Sequence, residues 1–283
     1  MKAFIKKYPL WSFLILNYLI SWTFLYPSYQ MILHQGGITP LALLGLIGAY
    51  GPSIAAIIVQ TVVDKQQLRP LLKKLIHFRA AAATMLFVVW VPIMLYLLAY
   101  VGAGIYFSEE LKVNWAAGFT HIPFWVLAAL PFGPMGEELG WRGFMLPELL
   151  KKHSLLKSTL LVGLAWGIWH AASFTFPGAA LPDFYELSVW TVAIFIVNTC
   201  CLSMVYSYVF LKTSGSVFYA ILLHAFFNAA ANITYDFLGK SEHTSLLSMA
   251  YLLNMAFACA LGYVLIRRHQ KRRRDTGQQT VDA

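Results

Sequence analysis

Long apolar runs separated by short polar connections dominate the chain from residue 8 onward. A membrane-spanning helix requires about 20 mainly apolar residues. We predict spans at approximately 8–29, 41–63, 80–107, 121–146, 158–176, 187–211, 216–237 and 246–266. The segment 121–146 is the least regular, because it contains Pro123, Pro131, Pro134 and a charged motif. The pattern therefore predicts an all-α, polytopic membrane protein with about eight transmembrane helices.

Composition supports this class. The chain has 283 residues, of which 59% are hydrophobic and 12% charged, whereas soluble domains carry roughly 25% charged residues. The N-terminal run resembles a signal peptide but is too long and lacks a small-residue cleavage site, so we interpret it as a retained first span. We predict one transmembrane helical domain over residues 1–266 and a basic, disordered cytoplasmic tail over 267–283.

The basic residues predict the orientation, since Lys and Arg accumulate on the cytoplasmic side of membrane proteins. With both termini cytoplasmic, 19 of the 21 basic residues, Arg142 among them, fall on inner segments, and only Lys112 and Lys240 fall outside. The net charge of +9 then marks a face that suits anionic membrane lipids. We therefore predict lipid contact and no nucleic-acid partner, in the cell membrane (the plasma or inner membrane for a bacterial source).

Three glycines in the second predicted span, Gly45, Gly48 and Gly51, are spaced three residues apart. Small residues let helix backbones approach closely in membranes. We predict that they pack against a neighbouring helix.

A few polar side chains interrupt the later spans. Such residues are costly inside a bilayer and tend to mark function. They are Glu137, Glu138, Arg142, His170, His224 and Asn228. We expect them to converge in the cytoplasmic half of the membrane.

Helical spacing assigns different surroundings to the two glutamates. Glu138 and Arg142 are four residues apart and share a helix face, so they can form an ion pair. Glu137 lies about 100° further round the helix axis and cannot share that arginine equally. Glu137 is therefore the carboxylate left free to act as a general base.

The other polar residues also occur in pairs four residues apart. His224 and Asn228 in "HAFFN" project from one face of the seventh span. Trp166 and His170 in "WGIWH" have the same relation, and the indole either holds the imidazole in place or simply packs.

The ordered motifs "EELGWR" at 137–142, "WGIWH" at 166–170 and "HAFFN" at 224–228 resemble those of a known family. This is the CAAX prenyl protease and bacteriocin-processing family, also called the abortive-infection family of intramembrane proteases. The family pattern is Glu-Glu-x-x-x-Arg, an aromatic residue four before a His, and His-x-x-x-Asn or Asp. The family usually has Phe where this chain has Trp166.

The resemblance implies an intramembrane endopeptidase whose core spans about 121–237. Glu137 and His170 would orient and deprotonate a water molecule. His224 and Asn228 would donate hydrogen bonds to the oxyanion, while Glu138, Arg142 and Trp166 would support the site. The substrate would be a peptide or protein, lipidated or plain.

We predict no metal and no other cofactor, because the compact His-Glu-x-x-His zinc motif is missing. The alternative is a zinc ion held by Glu137, His170 and His224, since zinc accepts nitrogen and oxygen ligands. Two other functional readings stay open. One is a non-catalytic bacteriocin self-immunity or scaffold protein that keeps the pocket. The other is a transporter, although the matching halves typical of many transporters are missing. The sequence carries no signal for an oligomeric state.

Overall fold

A computed structural model describes residues 1–35, 40, 42–176 and 178–275. Within these ranges the protein consists of helices and connections, with no β-strand. The α-helices are α1 (Lys2–Lys7), α2 (Pro9–Gln35), α3 (Gly45–Ala49), α4 (Gly51–Val63), α5 (Leu68–Lys73), α6 (Ala82–Phe107), α7 (Trp115–Thr120), α8 (Ile122–Ala129), α9 (Pro134–Glu138), α10 (Leu146–Leu150), α11 (Leu155–Trp169), α12 (Val189–Lys212), α13 (Val217–Leu238) and α14 (Thr244–Asp275). A π-helix (Leu139–Met145) joins α9 to α10, and short 3₁₀ turns occupy Ala42–Leu44, Lys65–Gln67, Lys74–Ile76, Leu130–Phe132 and His170–Ser173.

Seven helical segments in the described part of the chain are long and apolar enough to cross a membrane. They are Pro9–His34, Ala82–Phe107, Trp115–Phe132, Leu155–Ser173, Val189–Lys212, Val217–Leu238 and Thr244–Asp275. The prediction of an all-α, polytopic fold is confirmed.

The second predicted span, 41–63, is broken into shorter helices. They run antiparallel to α2, because Gly45 faces Ser28 while Gly51 faces Ser21. A Cβ atom at Gly51 would lie 2.0 Å from Ser21 Oγ, so Ser21 would have to shift to admit a side chain there. The predicted packing role of the glycines is confirmed, and the segment passes along the bundle without forming one long helix.

The fourth predicted span, 121–146, is also divided. The apolar segment ends at Phe132, the chain turns at Gly133, and α9 begins at Pro134. Proline is tolerated in the first turn of a helix but breaks a helix interior, so the proline spacing explains the division. The charged motif therefore begins a new helix inside the protein.

Five long helices pack side by side in the order α11, α12, α14, α6 and α13. Polar groups join the first two, since Thr199 Oγ1 donates to the Gly163 carbonyl at 3.0 Å and Ser203 Oγ donates to the Thr159 carbonyl at 2.8 Å. Helix α4 packs against the π-helix, and α2 packs along α3 and α4. These contacts enclose α9 and the π-helix.

The last helix differs from the prediction. We expected the final span to end at residue 266 and the tail to be disordered. Helix α14 instead continues to Asp275, so the basic segment 267–275 is helical. The remaining predicted tail, 276–283, lies outside the described residues.

Candidate active site

The two glutamates lie where a helix begins in the protein interior. The amide groups of Gly136 and Glu137 donate to the Gly133 carbonyl, which starts the helix at Pro134. A side chain at residue 133 would meet the carboxylate, because a Cβ atom there would lie 2.9 Å from Glu137 Oε1. The backbone thus holds Glu137 and Glu138 inside, where they are 3% and 0% exposed.

The Glu138 carboxylate is held from two sides. Arg142 Nη1 donates to both of its oxygens at 3.0 Å, and His224 Nδ1 donates to Oε1 at 2.8 Å. The predicted ion pair between Glu138 and Arg142 is confirmed. The bond from His224 was not predicted, and it joins α13 to the end of α9. Because both of its oxygens are engaged, Glu138 is poorly placed to accept a proton from a substrate or water.

The Arg142 guanidinium lies between two aromatic rings. Its Cζ atom is 4.8 Å from the Tyr206 ring centroid and 5.1 Å from that of Trp166, within the range of cation–π attraction. Arg142 is the central residue of the π-helix, a conformation that often occurs at functional sites. The sequence count placed this residue among the charges of the inner segments, and the structure shows that it is fully buried.

The Glu137 carboxylate has different partners. Trp166 Nε1 donates to Glu137 Oε2 at 2.5 Å. The other oxygen faces Gly133, and Asn228 Nδ2 lies 3.9 Å from the point where a Gly133 Cβ would be. Among the described residues Glu137 forms no ion pair, as its position on the helix predicted.

His170 terminates α11, and the end of the helix fixes its ring. The His170 backbone N–H donates to the carbonyls of Gly167 and Ile168. The Trp166 carbonyl is 2.9 Å from His170 Nδ1, and because a carbonyl only accepts, Nδ1 carries the proton. The neutral ring therefore keeps a lone pair on Nε2. Trp166 does hold the imidazole, but through its backbone carbonyl.

Two aromatic rings support the imidazole edge to face. The ring centroids of Trp169 and Phe195 lie 4.8 and 4.9 Å from that of His170. Trp166 thus contacts both predicted proton-transfer residues, through its indole N–H to Glu137 and its carbonyl to His170.

One cavity of about 710 Å³ brings the predicted catalytic residues together. Its lining includes Glu137, His170, His224 and Asn228. This volume lies within the range of small-molecule binding pockets. Glu138 and Arg142 do not line the cavity and lie behind its wall.

Sequence reasoning missed Tyr206. This fully buried residue of α12 packs its ring on Arg142 and lies 5.4 Å from the His224 ring. It sits inside an apolar run and belongs to none of the motifs, so no sequence signal singled it out. Tyr29 of α2, which also lines the cavity, was missed for the same reason.

The alternative zinc set is not assembled in this arrangement. Among the described residues no three His, Cys, Asp or Glu side chains are grouped closely enough to hold a metal ion. One Glu137 oxygen accepts from Trp166 and His224 Nδ1 donates to Glu138, which leaves Glu137 Oε1 and the Nε2 atoms of His170 and His224 as the remaining donor atoms. The described side chains are not grouped as a zinc site, and the zinc alternative stays a hypothesis that a chelator tests.

Two comparisons with known proteins bear on this site. The family model described as "Type II CAAX prenyl endopeptidase Rce1-like" matches residues 119–230, which is less than half of the chain but contains all three motifs. The chain is also 25% identical over 148 residues to a protein of Methanococcus maripaludis named CAAX prenyl protease 2. The match covers 52% of each chain, so this chain spans about half the length of the curated relative that it matches. The matches and the buried motif cluster confirm the resemblance of residues 119–230 to the CAAX prenyl protease family, and the chain that carries them is a multi-pass membrane protein.

Proposed function

We propose that this protein is an intramembrane endopeptidase that hydrolyses a peptide bond with water activated by Glu137 and His170. The observation that carries the proposal is that both residues line one cavity with a proton-accepting atom free of any cation. Glu137 forms no ion pair within the described chain, and His170 keeps its Nε2 lone pair. General bases of this kind typically contribute 10²–10⁴-fold to rate.

The reaction balances with water as the co-substrate. Glu137 accepts a proton as the water oxygen bonds to the carbonyl carbon, and His170 Nε2 accepts a hydrogen bond from the same water. The tetrahedral intermediate then collapses and the C–N bond breaks. The proton on Glu137 passes to the leaving amine, which regenerates the carboxylate. The products are a carboxylate and an amine.

In the proposed mechanism His224 and Asn228 stabilise the oxyanion. Asn228 presents its amide into the cavity one helical turn from His224. His224 donates from Nδ1 to Glu138, so its protonated ring would offer Nε2–H to the oxyanion. One oxyanion donor is worth roughly 2.7–4 kcal/mol in the transition state. Glu138 and Arg142 act as positioning residues, because they fix the His224 ring and touch no substrate.

The proposed substrate is a peptide or protein segment, lipidated or plain. Leu25, Ile32 and Leu46 form an apolar part of the cavity wall that suits an apolar side chain or a lipid. The curated relative is named a CAAX prenyl protease. The test below therefore includes prenylated peptides beside plain ones. No metal takes part in the proposed mechanism.

The test compares wild type with Glu137→Gln in lipid vesicles, with prenylated and plain peptides and with or without a chelator. Glutamine still accepts the Trp166 hydrogen bond but cannot take a proton, so turnover should fall by roughly 10²–10⁴-fold. The control Glu148→Gln alters a surface glutamate paired with Lys151 and should leave turnover unchanged. Mass spectrometry identifies the cut bond.

Each other outcome has a definite meaning. Near-wild-type turnover of Glu137→Gln would contradict the assigned role. Loss of cleavage in chelator would favour the zinc alternative. A biological function that survives Glu137→Gln would favour the non-catalytic scaffold or immunity protein.

A further inference from the structure

Most of the connecting segments that carry basic residues lie at one end of the helical bundle. Lys74 Nζ donates to the Gly143 carbonyl at 3.2 Å and lies 5.5 Å from the Phe210 ring. Ser216 Oγ donates to the His77 carbonyl at 2.6 Å, which brings the start of α13 to the same place. Burial at this junction lowers the pKa of the Lys74 ammonium.

The end of α14 lies at this same end, since Ile266 shares an apolar cluster with Leu155 of α11. We call this the basic end and define it by residues 63–79, 143–157, 209–217 and 266–275. Its described basic residues are Lys65, Arg69, Lys73, Lys74, Arg79, Lys151, Lys152, Lys157, Lys212, Arg267, Arg268, Lys271, Arg272, Arg273 and Arg274.

The opposite end is acidic. The Asn114 amide donates to the Phe237 carbonyl at 2.7 Å, and Lys240 forms an ion pair with Asp183 at 3.7 Å. We call this the acidic end and define it by residues 107–121, 174–176, 178–188 and 236–244. Its acidic residues outnumber its two basic residues, Lys112 and Lys240. The acidic residues are Glu109, Glu110, Asp183, Glu186, Asp236 and Glu242. Helix α6, which joins the two ends, has 26 residues and spans about 39 Å at 1.5 Å per residue.

The cavity opens at the acidic end. Its lining residues Ala179, Asp183 and Lys240 are exposed and form its mouth, whereas Glu137 and His224 are buried at its inner part. Among the described residues that line the cavity, none comes from the basic end. We expected the site to converge towards the cytoplasmic half, but the cavity reaches it from the end opposite the basic residues.

From these two observations we infer that the cavity opens on the extracytoplasmic side of the membrane and receives a peptide segment exposed there. Basic residues mark the cytoplasmic side of membrane proteins, and here they lie at the end away from the mouth. The substrate class is therefore an exported peptide or the extracytoplasmic part of a membrane-anchored protein. A lipidated tail that stays in the cytoplasm would not reach Glu137. The orientation stands on charge and geometry alone, whereas the substrate class rests on the proposed function.

Cysteine labelling tests the orientation without any need for activity. In a background with Cys200, Cys201 and Cys259 replaced by Ala, single cysteines are introduced as Ala179→Cys at the mouth and Lys152→Cys at the basic end. Both positions are exposed. A membrane-impermeant maleimide should label Ala179→Cys in right-side-out vesicles and Lys152→Cys only in inside-out vesicles. The reverse pattern, or equal labelling of both positions, would overturn the inference.

A second measurement separates this inference from the proposed function. Wild type and Glu137→Gln are compared in both vesicle types with a membrane-impermeant mixture of plain peptides and lipidated peptides. Cleavage only in right-side-out vesicles, and lost in Glu137→Gln, supports the substrate class. Glutamate-dependent cleavage only in inside-out vesicles overturns it while the protease proposal stands. If neither vesicle type shows glutamate-dependent cleavage, the proposed function is contradicted, and the substrate class that rests on it is contradicted too. The labelling experiment still decides the orientation.

Discussion

Glu137 and Glu138 are neighbours in the chain, yet their surroundings suit them to different chemistry. The Glu138 carboxylate accepts from Arg142 and His224 and is closed off from the cavity. The Glu137 carboxylate accepts from the neutral Trp166 indole and faces the cavity. An ion-paired carboxylate stabilises structure, whereas one without a cation can exchange protons.

Spacing along the chain could predict only part of this arrangement. The bond between Glu138 and Arg142 follows from helical periodicity, because the two residues lie on one helix. The bond from His224 to Glu138 joins residues 86 positions apart. No local rule fixes the rotation of α13 relative to α9, so this bond and the packing of Tyr206 needed the structure.

Replacing Trp166 with Phe tests the support of Glu137. The ring that packs on Arg142 is kept, but the N–H donor to the carboxylate is lost. A hydrogen bond to a charged group is worth about 1.5–3 kcal/mol, so kcat should fall by roughly 10–100-fold. The matched control is Trp141→Phe, because Trp141 Nε1 has no partner among the described residues and Trp141 does not line the cavity. Wild-type kcat in Trp166→Phe, measured with a peptide substrate, would count against the role.

Replacing Arg142 with Met tests the buried ion pair. It leaves Glu138 as a buried charge with His224 as its remaining partner, a loss that typically costs about 3–5 kcal/mol. The melting temperature in detergent should drop by roughly 6–20 °C. The double variant Arg142→Met with Glu138→Gln removes both charges and should recover part of the loss. A double variant less stable than Arg142→Met would contradict the pairing energetics.

At the scale of elements, two predicted spans proved to be divided. Prolines indicated the break in 121–146. The segment 41–63 also contains a proline, Pro52, which lies in the first turn of α4, but its glycines were interpreted only as packing residues and the break was not predicted. Hydropathy measures how apolar a segment is and is insensitive to a turn within it. The π-helix was likewise invisible, since it depends on how α4, α9 and α13 pack around the motif.

The contact between α2 and α4 can be tested with a single methyl group. Gly51→Ala would place a Cβ atom 2.0 Å from Ser21 Oγ, and overpacking of this kind costs about 1–3 kcal/mol. Gly102→Ala is the control, because its Cβ atom would make an ordinary contact at 3.7 Å with Leu253. Thermal unfolding in detergent should show a lower melting temperature for Gly51→Ala and an unchanged or higher one for Gly102→Ala. Equal melting temperatures would mean that the helices separate at little cost.

At the scale of the whole molecule, the charge pattern carried the most information. The alternation of spans and basic residues predicted that distant connections share one end, and contacts such as Lys74 with Gly143 place them there. The direction in which the cavity opens could not be predicted, because it depends on where the broken second and fourth segments leave space. Which end faces the cytoplasm stays a prediction of the basic residues.

Among the described residues, the lining of the cavity includes none from the basic end, and this has a consequence for the cell. Between its inner part and the basic end the interior is filled by fully buried side chains, among them Trp141, Leu146, Val209 and Phe210. We expect water to enter from the acidic end as far as Glu137, because the buried apolar side chains beyond it offer water few hydrogen-bond partners. A protein built in this way would admit water into the depth of the membrane while ions and protons stay on their own sides, so that the electrochemical gradient across that membrane is preserved.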